Sequence, residues 1–427
     1  MEQVAGFLLT AGGYFEMNLF PMARRKLPGV LLVFLMLMLA ETRAAELRLS
    51  PGFHREVLAG PELPEPMDLA PAPDGAVWVT GRSGQLWRVD PETRRHHLVG
   101  KIRTDTAGDR GLHGLALHPD FEKTGEIFVF YHAPKHPSGR YLSRVSRWKV
   151  TGSGAQASLA ADSETVLLEF EGNEGGQHVG GGLLAHPQQR LLYVTTGDNN
   201  VIWELKQYCD KPDNQAQSRG DLRGKVLRIG FDGSIPAENP FAGKPGARGE
   251  VFTVGHRQPW ALSWDPPTGW ILLAENGGDE LDDHEEVNRV EPGANYGWPR
   301  AFADGLETRT RTNRVSGMTP PWFHYVRNTG GSCTGALIYR PQGRGTNFPD
   351  RFAGGLFYAD YNRKSVRFVP VDANSGSPGK GESFAQFLPG GPVALRLGSD
   401  GALYLAEYGG WFGATTNDAI SRIVWKP

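Results

Sequence analysis

Residues Met67–Thr80 read MDLAPAPDGAVWVT: two alternating apolar residues, a Pro-rich turn closed by Pro73-Asp74-Gly75, then a short aliphatic and aromatic strand. The phrase recurs along the chain. HGLALHPDFEKTGEIFVFY starts at His113, GGLLAHPQQRLLYVTTGD at Gly181 and WALSWDPPTGWILLAENG at Trp260. GALIYRPQGRGTNFPDRFAGGLFYAD starts at Gly335 and VALRLGSDGALYLAEYG at Val393. Six copies of one supersecondary phrase signal a repeat architecture. Aligned on Trp78, Phe128, Tyr193, Leu272, Phe357 and Tyr404, the copies lie 50, 65, 79, 85 and 47 residues apart. A four-stranded propeller blade needs roughly 40–50 residues. The short spacings are nearly bare blades, and the long ones carry inserted loops.

A lone four-stranded sheet cannot bury both faces, whereas radial stacking covers each blade with its neighbours. The expected fold class is therefore all-β, a six-bladed β-propeller over residues 45–427. The strand-like segment Glu46–Gly60 is expected to complete the blade formed by the C-terminal residues. A β-sandwich pair would not repeat one phrase six times. With Gly at 56, Pro at 31, hydrophobic residues at 39% and charged residues at 22%, the chain has a turn-rich globular composition. Its formal net charge of -2 offers no basic field for nucleic acid or an anionic membrane surface.

Residues 1–44 read as an N-terminal extension and signal peptide. A basic cluster at Arg24, Arg25 and Lys26 precedes an apolar run from Leu27 to Ala40, and Thr42 and Ala44 stand at a small-residue exit. The alternative is an uncleaved signal anchor. Met17 and Met22 are candidate starts, which would leave the first residues as an upstream extension. The expected location is periplasmic or secreted, where disulfides persist. The two cysteines, Cys209 and Cys333, either bridge two inserted loops or remain free thiols.

Propellers carry function at one mouth of the channel, on loops flanking the inner strands. His178 lies among glycines before the third inner strand and Asp198 ends the next strand of the same blade. A carboxylate orienting an imidazole makes a general base; the alternative is a histidine satisfying a buried carbonyl. Arg257 precedes the fourth inner strand and is either a carboxylate partner or a surface loop residue. Asp279–Glu286 contains six acids in eight residues, beside the Asn276-Gly277-Gly278 turn. Hard cations such as Ca²⁺ take carboxylates, here Asp279 and Glu285 among them, together with backbone carbonyls. A solvated acidic loop is the alternative. Tyr296 and Trp298 either wall a planar ligand or pack. His113 and His118 read as structural. Serine-nucleophile signatures, P-loops and dinucleotide glycines are absent.

Five motifs in this order resemble the glucose/sorbosone dehydrogenase family, six-bladed propellers that use pyrroloquinoline quinone (PQQ) with Ca²⁺. They are RGLHGLALHPDF from Arg110, HVGGGLLAHPQQRLLYVTTGD from His178, LRGKVLRIGFDGSIPAENPF from Leu222, GHRQPWALSWDPPTG from Gly255 and EEVNRVEPGANYGWP from Glu285. The resemblance runs from about Gly52 to the C-terminus. It implies that His178 takes the substrate hydroxyl proton, that Asp198 orients it and that Arg257 lies beside the reactive quinone carbonyl. It also implies that the carbonyls of Gly277 and Gly278 hold Ca²⁺. A sugar or alcohol substrate and an external electron acceptor follow from the same resemblance. Gln258 stands where Asn is usual and Gly278 where Pro is usual. Asn362 stands where a PQQ-binding Lys is expected, with Arg363 or Lys364 as substitutes, and Arg396 replaces a paired-Arg motif. These departures keep two other readings open: a non-catalytic propeller binding carbohydrate or protein, and a Ca²⁺-dependent lactonase-like hydrolase.

Overall fold

A computed structural model describes residues 46–427 apart from 173–174, 200–214, 281, 308–312, 329–330, 344, 346 and 411–414. The expected leader at 1–44 and Cys209 lie outside the described residues. Six sheets of four or five antiparallel strands form the six blades of a β-propeller. The first strands of the blades are Pro66–Pro71, Leu112–Leu117, Gly180–His186, Gln258–Asp265, Cys333–Ile338 and Gly391–Leu397. Each packs against the next, and Gly391–Leu397 packs against Pro66–Pro71.

Burial explains the strand sequences. Three of the second strands, Val77–Gly81, Leu356–Asp360 and Leu403–Tyr408, are buried at every residue, and the other three at every residue but the first. Neighbouring blades cover both of their faces, so their sequences are nearly continuous apolar runs rather than alternating ones. Fully burying each Leu, Val or Phe side chain contributes about 1.5–3 kcal/mol. The outer strands are half exposed, as in Thr165–Glu171, and there polar residues alternate.

The segment Glu46–Gly60 serves two blades rather than one. Phe53–Ala59 pairs with Ala419–Trp425 as the outer strand of the sixth blade. Arg48–Leu49 pairs instead with Glu382–Gln386 at the edge of the fifth. Arg55 locks the longer pairing: its Nε and Nη2 donate to the two carboxylate oxygens of Glu407 at 2.7 and 3.0 Å. The Glu407 side chain has no exposed surface.

One local feature repeats in every blade. The first strand pairs with the second in the same way: Pro66 with Gly81, Leu112 with Tyr131, Gly180 with Thr196, Gln258 with Asn276, Cys333 with Asp360, and Gly391 with Tyr408. In all six the register then slips within three residues of that pair. Such bulges re-aim side chains and bend the strand end. All six lie at the same end of the channel, which is where His178, Arg257 and the acidic loop emerge.

Candidate active site

At this end of the channel, residues of the third to sixth blades, with Asp109 from the loop before the second, line a cavity of about 150 Å³. Its floor is Trp260, whose indole N–H donates across the channel to the carbonyl of Val393 at 2.8 Å. On its wall, His178 Nδ1 and Asp198 Oδ1 are 2.8 Å apart. The Asp198 side chain has no exposed surface and that of His178 is 12% exposed. The second Asp198 oxygen accepts the indole N–H of Trp298 at 2.7 Å. With the Nδ1 proton committed to the carboxylate, Nε2 is left as the proton acceptor. The backbone also fixes the imidazole. His178 has φ of 49°, and its N–H donates to Asp109 Oδ2 at 3.1 Å. Gly197 passes so close that an added Cβ would stand 1.8 Å from the His178 carbonyl oxygen. This glycine serves a backbone crossing rather than ligand access.

Arg257 lines the same cavity. Its backbone N–H donates to Glu275 Oε1 at 2.7 Å, and the other oxygen of that buried carboxylate holds His256 Nδ1 at 2.7 Å. Its guanidinium bonds to Asp279 and lies 5.5 Å from the ring centre of Trp298. Gln258 accepts the Gly180 N–H at 2.8 Å, tying the third and fourth blades together beside the imidazole.

Asn276, from the turn named in the sequence, also lines the cavity, and so do Asp109, Arg327, Ser332 and Tyr361, which were not singled out from the sequence. Asp109 directly precedes the RGLHG motif, so its motif was visible and its role was not. Burial raises its carboxyl above the usual range, against the opposing pull of His178. Arg327 follows the outer strand of the fourth blade as an isolated loop arginine, and no local pattern marks it.

Five residues expected at a cofactor lie away from the cavity. Tyr296 is buried with its ring centre 4.8 Å from that of His256, and its hydroxyl donates to the Arg289 carbonyl. Trp298 stands behind Asp198 as its hydrogen-bond donor. Asn362 is exposed at a turn, its amide 3.3 Å from the Gly331 carbonyl. Arg363 donates to the carbonyls of Val326 and Arg327 at 2.8 and 2.6 Å. Arg396 lies further down the channel, paired with Asp68 at 2.7 Å across the junction of the sixth and first blades. Trp298, Arg363 and Arg396 are each taken up by a carbonyl or carboxylate of another blade, which a linear reading does not see.

The expected calcium donors do not fit a calcium ion. Gly278 accepts a hydrogen bond from Arg327 Nη1 at 2.6 Å. Asp279 Oδ2 holds Arg257, and its Oδ1 lies 3.6 Å from Arg327 Nη1. Glu285 accepts the Cys333 N–H at 2.8 Å, with its other oxygen 3.5 Å from Arg327 Nη1. Gly277 is pressed against the His284 carbonyl, 1.8 Å from where a Cβ would stand. Among the described residues, no group of three or more His, Cys, Asp or Glu side chains is arranged around a metal position. Cys333 is buried at the start of the fifth blade and forms no disulfide among the described residues, outside which its expected partner Cys209 lies.

His113 and His132 flank the site as buried neutral rings with centres 5.5 Å apart. Burial pushes His113 well below the ordinary histidine value and His132 down to about 3. A histidine depressed in the fold contributes stability above its unfolded value near 6.5 and loses it as the pH falls toward the folded value. The variant His132→Asn keeps a hydrogen-bonding group and removes that titration. The stability difference between variant and wild type is expected to shift in favour of the variant by on the order of 3 kcal/mol between pH 7 and pH 4. Urea unfolding at the two pH values checks this, and a pH-independent difference would contradict it.

The six-bladed propeller is the architecture of solved sugar dehydrogenases, and here a histidine–aspartate pair and a clamped arginine stand at one mouth of it. Residues 63–410 match the glucose/sorbosone dehydrogenase family, and the chain belongs to it. The Synechocystis protein slr1608, itself uncharacterized, is 33% identical over 338 residues, covering 73% of this chain and 74% of that one. Quinoprotein glucose dehydrogenase B of Acinetobacter calcoaceticus is 30% identical over 264 residues, 58% of this chain and 53% of that protein. A solved Thermus thermophilus oxidoreductase, described as a glucose dehydrogenase, superposes with a TM-score of 0.69 at 26% identity, covering 87% of this chain and 100% of that one. Among the described residues, no helix is long and apolar enough to cross a membrane.

Proposed function

We propose that this chain is an exported quinoprotein dehydrogenase that oxidises a hydroxyl of a sugar or alcohol and passes the electrons to an external acceptor. The observation that carries this reading is the His178–Asp198 pair at 2.8 Å on the wall of a cavity that also holds the guanidinium of Arg257. His178 Nε2 accepts the substrate hydroxyl proton. Asp198 stabilises the imidazolium that forms, and Trp298 keeps that carboxylate from turning away. Arg257 is anchored by Asp279 and presents fixed positive charge in a cavity sheltered from water, where it acts on an oxygen that gains negative charge. PQQ, when bound, supplies the electrophilic carbonyl that accepts the substrate C–H as hydride, a two-electron step. Arg257 and Arg327 are the side chains suited to its carboxylates. Trp260 closes the floor, so substrate enters and leaves by the same mouth.

The second reading is a propeller whose mouth binds a partner without catalysis. It is favoured by the placement of Asn362, Arg363 and Arg396 away from the cavity, which leaves fewer cations for a tricarboxylate. Titration of the purified protein with PQQ, followed by quinone absorbance, separates the two. Saturation at one equivalent per chain supports the dehydrogenase. No spectral change at any excess of PQQ would sink it in favour of the second reading.

A further inference from the structure

We infer that the guanidinium of Arg327 is the resident cation of this cavity, holding the position that the family resemblance assigns to Ca²⁺, so that the protein neither retains calcium nor needs it to bind an anionic cofactor. A calcium ion ligated by the Gly278 carbonyl stands about 2.3–2.6 Å from that oxygen. Arg327 Nη1 is 2.6 Å from it. The same nitrogen lies 3.6 Å from Asp279 Oδ1 and 3.5 Å from Glu285 Oε1. One carbonyl and two carboxylates, three of the four expected calcium donors, therefore converge on one guanidinium nitrogen. An Arg nitrogen cannot leave that position by losing its charge, because guanidinium stays protonated in proteins. A divalent ion placed among the same oxygens would meet Arg327 and Arg257 together, and the repulsion would offset its attraction to Asp279 and Glu285.

Arg327 is held there from its own backbone. Its N–H donates to the Asp283 carbonyl at 2.7 Å. Its carbonyl accepts Arg363 Nη2 at 2.6 Å. The acidic loop and the turn of the fifth blade thus clamp the residue from two sides. This also assigns Arg363 a role as the support of the cavity cation instead of a cofactor ligand. The acidic run Asp279–Glu286 then has a purpose without a metal: part of it balances the buried Arg257 and the partly buried Arg327. Arg327 lines the cavity, so the same charge is available to a carboxylate bound there.

The test has a metal arm that does not depend on the proposed activity. Wild-type protein, purified without added metal, is analysed for calcium content and then melted in EGTA and in excess Ca²⁺. The expected result is well below one calcium per chain and no shift in Tm. Arg327→Ala exposes Gly278, Asp279 and Glu285, and its Tm is expected to rise by several degrees in Ca²⁺, as for any ligand that binds only the folded state. Should Arg327→Ala fail to fold, Arg327→Gln removes the charge with less loss of packing and carries the same expectation. Arg327→Lys keeps a cation and should ignore Ca²⁺. One calcium per wild-type chain, or a wild-type Tm raised by Ca²⁺, would overturn the inference. Neutral variants indifferent to Ca²⁺ would overturn the assignment of Arg327 as the group that holds this position. The second arm rests on the proposed function: PQQ affinity measured in EGTA and in Ca²⁺ is expected to agree within about twofold, far inside the tenfold that corresponds to 1.4 kcal/mol. PQQ binding only in Ca²⁺ would overturn the inference while leaving the dehydrogenase intact. PQQ binding in neither buffer counts against the dehydrogenase, and the metal arm still decides the present question.

Discussion

His178→Ala is expected to reduce PQQ-dependent dye reduction by about 10²–10⁴-fold, the usual contribution of a positioned general base. A modest loss of stability of about 1–3 kcal/mol should accompany it, because Asp198 has no exposed surface and loses one hydrogen-bond partner, and the alanine inherits the φ of 49°. The loss of activity should appear in kcat with quinone binding retained, because the imidazole acts on the substrate hydroxyl. Asp198→Asn gives a graded version. It preserves the shape and an acceptor for Trp298, but a neutral amide cannot stabilise the imidazolium, and the pH–rate profile should move with it. Purified variants assayed across a sugar and alcohol panel check both. Wild-type rates in His178→Ala would remove His178 from the chemistry.

Arg55→Ala is expected to destabilise the protein by about 3–5 kcal/mol, as when one member of a buried ion pair is removed and its partner keeps an uncompensated charge. Glu407 has no exposed surface, and Arg55 is its bidentate partner at 2.7 and 3.0 Å. The pair joins Phe53–Ala59, from the start of the propeller, to Leu403–Tyr408 near its end, so the loss falls on the sixth blade, where the two ends of the propeller meet. The double variant Arg55→Met with Glu407→Gln removes both charges and should recover most of the stability. Denaturant midpoints for wild type, single and double variants form the test. A single variant within about 1 kcal/mol of wild type would show that the N-terminal strand is held by its backbone ladder alone.

The dyad was legible because both of its members belong to one blade. His178 and Asp198 flank two adjacent antiparallel strands, and the register of such a pair is set by its hydrophobic pattern and turn. Arg257 was legible for a similar reason, since it stands at the start of the next first strand. Arg396 was misplaced by position along its strand: the first strands begin at the mouth, and a residue near the end of one lies deep in the channel. Asn362 and Arg363 were misplaced by direction, since they sit on the turn after a second strand, where Asn362 bonds to Gly331 at the entry to its own blade and Arg363 to the neighbouring blade. Arg327 and Asp109 reach the cavity from loops with no periodicity to follow.

Local patterning was enough for the six blades, because each copy of the phrase encodes two strands and a turn whose hydrophobic period and turn residues act over a few residues. It was also enough for the imidazole and carboxylate that share a blade. The occupant of the expected cation position was decided only when the fourth blade folded. Placing its outer strand Phe323–Val326 beside His284–Arg289 brings Arg327 within 2.6 Å of Gly278, forty-nine residues earlier in the chain. A guanidinium on a long side chain satisfies whichever oxygens the folded sheet brings within reach, and that set is a property of the assembled blade.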